Sequence, residues 1–176
     1  MASIQFFVTN SLDRKKQQAY LEKLSYRDML TGLYNRNRYI ERLEAYKQVQ
    51  DQQIGAIYID LNGLKKVNDE QGHRAGDELI VRAAGTIAGI FAEDAYRVGG
   101  DEFVVILLDV SREEFTRKTE QLRRQMQENS VDASIGGVWQ ASTENLEDLL
   151  RRADENMYRE KKRYYSQADA ARKPES

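Results

Sequence analysis

Residues 99–108 read Gly99-Gly100-Asp101-Glu102-Phe103-Val104-Val105-Ile106-Leu107-Leu108, two glycines and two acids that open an apolar run. The preceding residues, Ala95 to Val98, also have the composition of a strand. Because Gly-Gly and Gly-Asp pairs reach the positive φ angles that tight turns require, the segment predicts a β-hairpin with acids at its tip. Glycines let the backbone approach a phosphate and carboxylates hold Mg²⁺, so the tip suits a metal-bound phosphate. A solvated turn fits the same five residues equally well.

The composition limits the classes of function. The 176 residues are 40% hydrophobic and 32% charged, which predicts one domain with extensions. No apolar run is long enough to span a bilayer, the N-terminus lacks a signal-peptide pattern, and cysteine is absent, so we expect a cytoplasmic chain without membrane contact. The single histidine, His73, excludes a multi-histidine metal site. A net charge of −2 gives no global field for nucleic acid, so phosphate chemistry must be arranged locally.

The spacing of apolar residues predicts an α/β (α+β) sandwich with a mixed sheet, because strands and helices interleave around the hairpin. Residues 1–27 predict an N-terminal extension with a connector helix, 28–165 the folded domain, and 166–176 a polar, disordered tail. The predicted strands are 54–59, 95–98, 103–108 and 131–139, and the predicted helices are 11–27, 37–53, one after Gly76-Asp77, 113–128 and one from about 143.

Four residues outside the hairpin carry groups suited to nucleotide chemistry. Asp60 ends a strand just before a glycine-containing turn with lysine, a pattern that binds a cation and offers N–H groups to phosphate. A helix cap explains Asp60 alone as well. Asn68 and Asp77 offer an amide and a carboxylate that suit guanine, although turn and cap roles also fit them. Lys161 extends the apolar face of the last helix and either reaches solvent or points into a site.

Four ordered motifs together resemble the GGDEF family, the diguanylate cyclases. The resemblance implies a palm-like, mostly antiparallel sheet of five strands flanked by helices, with an N-terminal helix. It also implies that two GTP molecules, one on each subunit of a homodimer, condense to cyclic di-GMP and two pyrophosphates by attack of a 3′-hydroxyl on an α-phosphate. The first motif is expected to be a fold-stabilising turn. The motifs are Asp28–Arg36, Asp60–Asp77, Arg97–Phe103 and Ala153–Lys161.

The resemblance also implies a role for each matching residue. Consecutive strand residues point to opposite faces, so Asp101 and Glu102 can share a site only if the turn distorts the backbone there. The ligands of Mg²⁺ or Mn²⁺ would be Asp60, the Leu61 carbonyl, Asp101 and Glu102. The catalytic residues would be Glu102, Asp101 and Lys65. Asn68 and Asp77 would read guanine, and the rest of GTP would be contacted by Gly63, Leu64, Lys65, Gly99, Gly100 and Lys161.

The sequence departs from the family pattern at three places. Ile90–Glu93 stands where many members carry an inhibitory Arg-x-x-Asp product site, so we expect no product inhibition through it. Asn62 replaces a second acid after Asp60. Lys161 is followed by residues 162–165, Lys-Arg-Tyr-Tyr, instead of Gly-Arg, which leaves Arg163 as a candidate phosphate contact. The alternatives are a degenerate domain that binds GTP or a partner without catalysis, and an enzyme that makes mixed cyclic dinucleotides.

The N-terminal segment bears on assembly. Apolar positions in 11–27 are too sparse for an independent coiled coil, so we expect a weak or transient homodimer. The same helix could connect to a sensory domain outside this chain.

Overall fold

The computed structural model describes residues 25–49, 51–142 and 145–171. The predicted helix over 11–27 therefore lies almost wholly outside the described residues. In chain order the elements are α1 (Arg36–Tyr46), β1 (Ile54–Leu61), α2 (Leu64–Gln71), α3 (His73–Phe91), a 3₁₀ turn (Ala92–Asp94), β2 (Ala95–Arg97), β3 (Glu102–Leu108), α4 (Arg112–Glu128), β4 (Ala133–Gln140) and α5 (Leu146–Ala171).

The strands form one sheet in the order β2-β3-β1-β4, and every neighbouring pair is antiparallel. The prediction of a mostly antiparallel sheet is therefore confirmed, whereas the predicted number of five strands is wrong for the described part of the chain, which has four. Tyr34 makes isolated bridges to Arg27 and Tyr96 beside the β2 edge, the second of them parallel. A ladder cannot grow there, because Gly32 has a φ of 74° and Asn35 caps α1.

Helices cover both faces of the sheet. Successive residues of a strand point to opposite faces, so β1 contributes alternately to two cores. Ile57 and Ile59 pack with residues of α3 and α4, whereas Ile54 and Ala56 pack with residues of α1 and α5. Burial on both faces explains why β1 and β3 read as nearly continuous apolar runs.

A glycine in β4 lets α5 approach the sheet closely. A Cβ built at Gly136 would lie 2.1 Å from the Met157 nitrogen and 2.2 Å from the Ala153 oxygen, both backbone atoms of α5. α5 then continues to Ala171, beyond the sheet. The helix therefore includes the first residues of the segment predicted as a tail, and the Ser166 hydroxyl donates to the Lys162 carbonyl at 2.9 Å. The rest of that segment, residues 172–176, lies outside the described residues.

The turn at Asp28 joins the N-terminal side of the domain to the β2–β3 hairpin. Asp28 Oδ1 accepts hydrogen bonds from the Thr31 nitrogen (2.9 Å), the Thr31 hydroxyl (2.7 Å) and Arg97 Nη1 (2.9 Å). Arg97 Nη2 donates to the Gly100 carbonyl at 2.7 Å. One guanidinium therefore links the turn to the hairpin tip, and the carboxylate stabilises both.

The hairpin forms without the backbone geometry that the sequence predicts. Val98 and Gly99 donate their N–H groups to the Glu102 carbonyl at 3.0 and 3.3 Å. Neither Gly99 nor Gly100 is among the glycines with positive φ, so the predicted left-handed turn is wrong. Gly99 instead provides space, since a Cβ there would lie 2.4 Å from Glu102 Oε2.

Among the helices that the structure describes, none is long and apolar enough to cross a lipid bilayer.

Candidate active site

Strand register brings two of the predicted acids together. Asp60 pairs with Glu102 on one side and with Ser134 on the other, so all three side chains lie on the sheet face that α5 covers. Asp60 and Ser134 are buried, while Glu102 is exposed at the start of β3. The acids that are 42 residues apart in sequence therefore become nearest cross-strand neighbours.

Lys161 reaches this pair from α5. Its Nζ donates to Asp60 Oδ2 at 2.8 Å, and the two side chains are 30% and 5% exposed. Of the two interpretations of Lys161, the structure supports the one in which it points into a site. α5 places it there because its apolar face, with Met157 one turn earlier, packs on the sheet.

Asp101 lies one residue before β3 begins. The alternation that turns consecutive strand residues to opposite faces therefore does not apply to Asp101 and Glu102. Its backbone oxygen accepts the Leu61 N–H at 3.0 Å, which joins the hairpin tip to the end of β1. The charge of Asp101 acts on Asp60, Glu102 and Lys161 alike. Asp60, Asp101, Glu102 and Lys161 thus form one charged group, which we call the acid cluster.

The protonation of the acid cluster reflects burial and mutual repulsion. Burial raises the pKa of Asp60 above its ordinary value, despite the opposing hydrogen bond and charge of Lys161. Burial also raises the pKa of Glu102, and the charges of Asp101 and Asp60 add to that effect. For Lys161 burial acts downward, but the hydrogen bond and charge of Asp60 and the charge of Asp101 leave its pKa raised. Three carboxylates against one lysine leave an excess of negative charge.

The residues fit a divalent cation that is shared with a substrate. Asp60 Oδ1 is buried and has no hydrogen-bond partner, a costly arrangement that a cation would relieve. In the described part of the chain no three acidic or histidine side chains converge closely enough to enclose a metal by themselves. Mg²⁺ commonly takes one or two carboxylates and completes its shell with phosphates and water. Asp60 with Asp101 or Glu102 meets that requirement.

The turn after β1 presents backbone N–H groups beside the acid cluster. Gly63 has a φ of 73° and precedes the first turn of α2, where Leu64 and Lys65 lie. The first N–H groups of a helix have no partner within it, so they can bind phosphate. Lys65 is exposed on this turn. The Gly63 N–H donates to the Tyr165 hydroxyl at 3.3 Å.

The predicted guanine pair lies on two adjacent helices. Asn68 is on α2 and Asp77 on α3, so neither is a turn or cap residue. Asn68 lies five residues after Gly63, about 7.5 Å along the helix axis. Its Oδ1 faces Gly76, the neighbour of Asp77, and is buried without a hydrogen-bond partner. The structure therefore brings Asn68 next to the segment that carries Asp77.

Asn62 stabilises the backbone beside the site through hydrogen bonds to neighbouring residues. Its Oδ1 accepts a hydrogen bond from the Ser134 hydroxyl at 2.9 Å, and its N–H donates to the Asp132 carbonyl at 2.9 Å. It is 6% exposed and Ser134 is fully buried. The residue that replaces a second acid thus fixes the end of β1 against β4.

Sequence reasoning missed Gly76, Ser134 and Tyr165. Tyr165 follows Lys161 by four residues, so helical spacing alone places it on the same face. Tyr165, and not Arg163, is the residue that reaches the Gly63 N–H. Gly76 and Ser134 leave no such signal, because their roles depend on contacts between elements.

Comparisons with known proteins identify the family. The family model described as "Diguanylate cyclase, GGDEF domain" matches residues 25–167. Diguanylate cyclase VdcA of Vibrio cholerae is 30% identical over 161 residues, which cover 84% of this chain and 47% of VdcA. The uncharacterised YhcK of Bacillus subtilis is 33% identical over 153 residues, covering 76% and 42%. The chain spans less than half the length of these curated relatives.

A solved structure shows the same fold. It is the coiled coil and GGDEF domain of DgcB from Caulobacter crescentus in complex with c-di-GMP, with a TM-score of 0.77, 21% identity and coverage of 92% of this chain and 93% of that one.

Proposed function

The chain belongs to the GGDEF family, and from that membership we propose that it is a diguanylate cyclase that condenses two GTP molecules into cyclic di-GMP and two pyrophosphates. The observation that carries the proposal is the acid cluster. Its central carboxylate, Asp60, has one oxygen on Lys161 and the other buried without a partner, directly opposite Glu102.

Each part of the site would contribute positioning or charge. Lys161 and the N–H groups of Leu64 and Lys65 would bind the triphosphate, joined by the Gly63 N–H once it exchanges the Tyr165 hydroxyl for phosphate, and Asn68 and Asp77 would bind the guanine. Asp60, Asp101 and the Leu61 carbonyl would hold Mg²⁺ or Mn²⁺, with Glu102 as a further ligand or as an aid in deprotonating the 3′-hydroxyl. The bound cation would neutralise charge that develops on the α-phosphate. Gly99 and Gly100 would keep the hairpin open to the substrate.

Two chains are needed for the reaction. Each chain would bind one GTP, and the 3′-hydroxyl on one chain would attack the α-phosphate on the other. We therefore propose a weak homodimer whose encounter limits the rate, with any N-terminal sensory domain acting on that encounter.

Incubation of the purified chain with GTP, ATP and Mg²⁺, followed by chromatography of the products, tests the activity. We expect cyclic di-GMP as the main product and its loss in Asp101→Asn. Asp109→Asn is the matched control, because Asp109 is exposed just beyond the far end of β3.

The same experiment separates the alternatives. A mixed cyclic dinucleotide as main product would favour altered base choice. No cyclic product, even with the N-terminus fused to a strong dimeriser, would contradict catalysis and favour a binding domain.

A further inference from the structure

Gly76 lies directly against the side-chain amide of Asn68, the amide that is predicted to read the base. α2 and α3 form a helical hairpin through Gly72, whose φ is 85° and whose N–H donates to the Asn68 carbonyl at 2.9 Å. This turn folds the start of α3 against α2, and Gly76 is buried in the contact. A Cβ built at Gly76 would lie 1.9 Å from Asn68 Oδ1, 2.9 Å from Asn68 Cγ and 3.2 Å from Leu64 Cδ1.

The missing side chain at Gly76 therefore decides where the Asn68 amide lies. Real Cβ atoms essentially never approach another heavy atom within 3.0 Å, so an alanine would displace Oδ1 by more than 1 Å. Asn68 Oδ1 lies against Gly76, buried and without a hydrogen-bond partner, so the position of the amide depends on the space that Gly76 leaves. A displacement of that size at a residue that contacts a ligand is enough to lose the contact.

Glycine at this position is otherwise unfavourable. In a helix interior glycine is less favourable than alanine, and α3 contains two more glycines, Gly85 and Gly89. A Cβ at either of those would meet nothing within 4 Å. Replacing glycine by alanine at each of the three positions therefore separates the gain in helix stability from the effect of the contact with Asn68.

We propose that Gly76 is a positioning residue for guanine selection, because its lack of a side chain holds the Asn68 amide where it reads the base. The proposal rests on the proposed function and extends it to a residue that itself touches no substrate. It predicts a specific loss of discrimination between bases, with triphosphate binding retained.

Calorimetric titration with the α,β-methylene analogues of GTP and ATP, which block turnover, tests this directly. We expect the wild type to prefer the guanine analogue. In Gly76→Ala its affinity should fall about tenfold, the worth of roughly one hydrogen bond, with the adenine analogue unchanged. Gly85→Ala should match the wild type. An unchanged guanine affinity in Gly76→Ala, or an equal loss for both analogues, would overturn the proposal.

Thermal unfolding in two backgrounds guards against a variant that does not fold. In the wild-type background Gly76→Ala should destabilise relative to Gly85→Ala. In the Asn68→Ala background that difference should shrink, because the two closest atoms are gone and only the 3.2 Å approach to Leu64 Cδ1 remains. A Gly76→Ala penalty of the same size in both backgrounds would overturn the proposal. A wild type that shows no preference for guanine would instead contradict the proposed function itself.

Discussion

Replacing Arg97 by methionine should destabilise the protein by about 3 kcal/mol. The guanidinium donates two hydrogen bonds, one to the Asp28 carboxylate at 2.9 Å and one to the Gly100 carbonyl at 2.7 Å. Bonds of this kind contribute about 1.5–3 kcal/mol each where a charged group is partly buried, and Arg97 and Asp28 are 13% and 24% exposed. Methionine keeps the unbranched stem as far as the position of Nε and removes that buried, unpartnered nitrogen, which offsets part of the loss.

Urea unfolding measures this directly, with Arg74→Met as the matched control. Arg74 pairs with Glu78 at 3.2 Å on α3, but the two side chains are 93% and 64% exposed. An exposed pair one turn apart contributes about 0.3–0.5 kcal/mol. We therefore expect Arg97→Met to cost several times as much as Arg74→Met and to lower the melting temperature by about 6–12 °C.

A double-mutant cycle identifies the cause of the loss. Combined with Asp28→Asn, Arg97→Met should cost at least about 1 kcal/mol less than in the wild type, because the shared ion pair is already gone. Since Arg97 also holds the hairpin tip, we expect a lower kcat in Arg97→Met. Equal costs for Arg97→Met and Arg74→Met, or strict additivity with Asp28→Asn, would refute this reasoning.

Three further outcomes are expected. Lys161→Met should reduce cyclic di-GMP synthesis by at least about a hundredfold by removing the charge near the triphosphate, and a reduction below tenfold would contradict its role. Added cyclic di-GMP should leave the initial rate unchanged at concentrations up to that of GTP. The reason is that Ile90 replaces the inhibitory arginine and that Glu93 is already paired with Arg27 at 2.6 Å. Strong noncompetitive inhibition would contradict this. Burial acts to raise the pKa of Asp28, but hydrogen bonds from Thr31 and Arg97 outweigh it and leave that pKa lowered. The stabilising effect of Asp28 is therefore present above its unfolded pKa, about 3.9, and is lost as pH falls through the folded pKa. The stability deficit of Asp28→Asn in urea unfolding should be full at pH 6 and shrink in that acid range, and a deficit independent of pH would contradict the ion pair.

The local elements and the chemistry that they carry follow from the order of the residues alone. Alternation and helical spacing are properties of neighbouring residues, so β1, β3, α4 and the apolar face of α5 follow from them with small boundary errors. Helix capping is equally local, since Asn35 directly precedes α1 and its Oδ1 accepts the Arg38 N–H at 3.1 Å. The ordered motifs likewise identified the family, because they record which residue types the chemistry needs.

Which of those residues meet depends on how the elements pack in three dimensions. Strand register placed Asp60 opposite Glu102, and packing of α5 on Gly136 brought Lys161 to Asp60 across 101 positions of sequence. In the described part of the chain the sheet has four strands, because the pairing at Tyr34 remains an isolated bridge between Gly32, with its positive φ, and the Asn35 cap. The hairpin glycine likewise serves as space for Glu102 and not as a left-handed turn. Such contacts depend on the close packing of elements that are distant in sequence, where one added methyl group is enough to displace a neighbouring side chain.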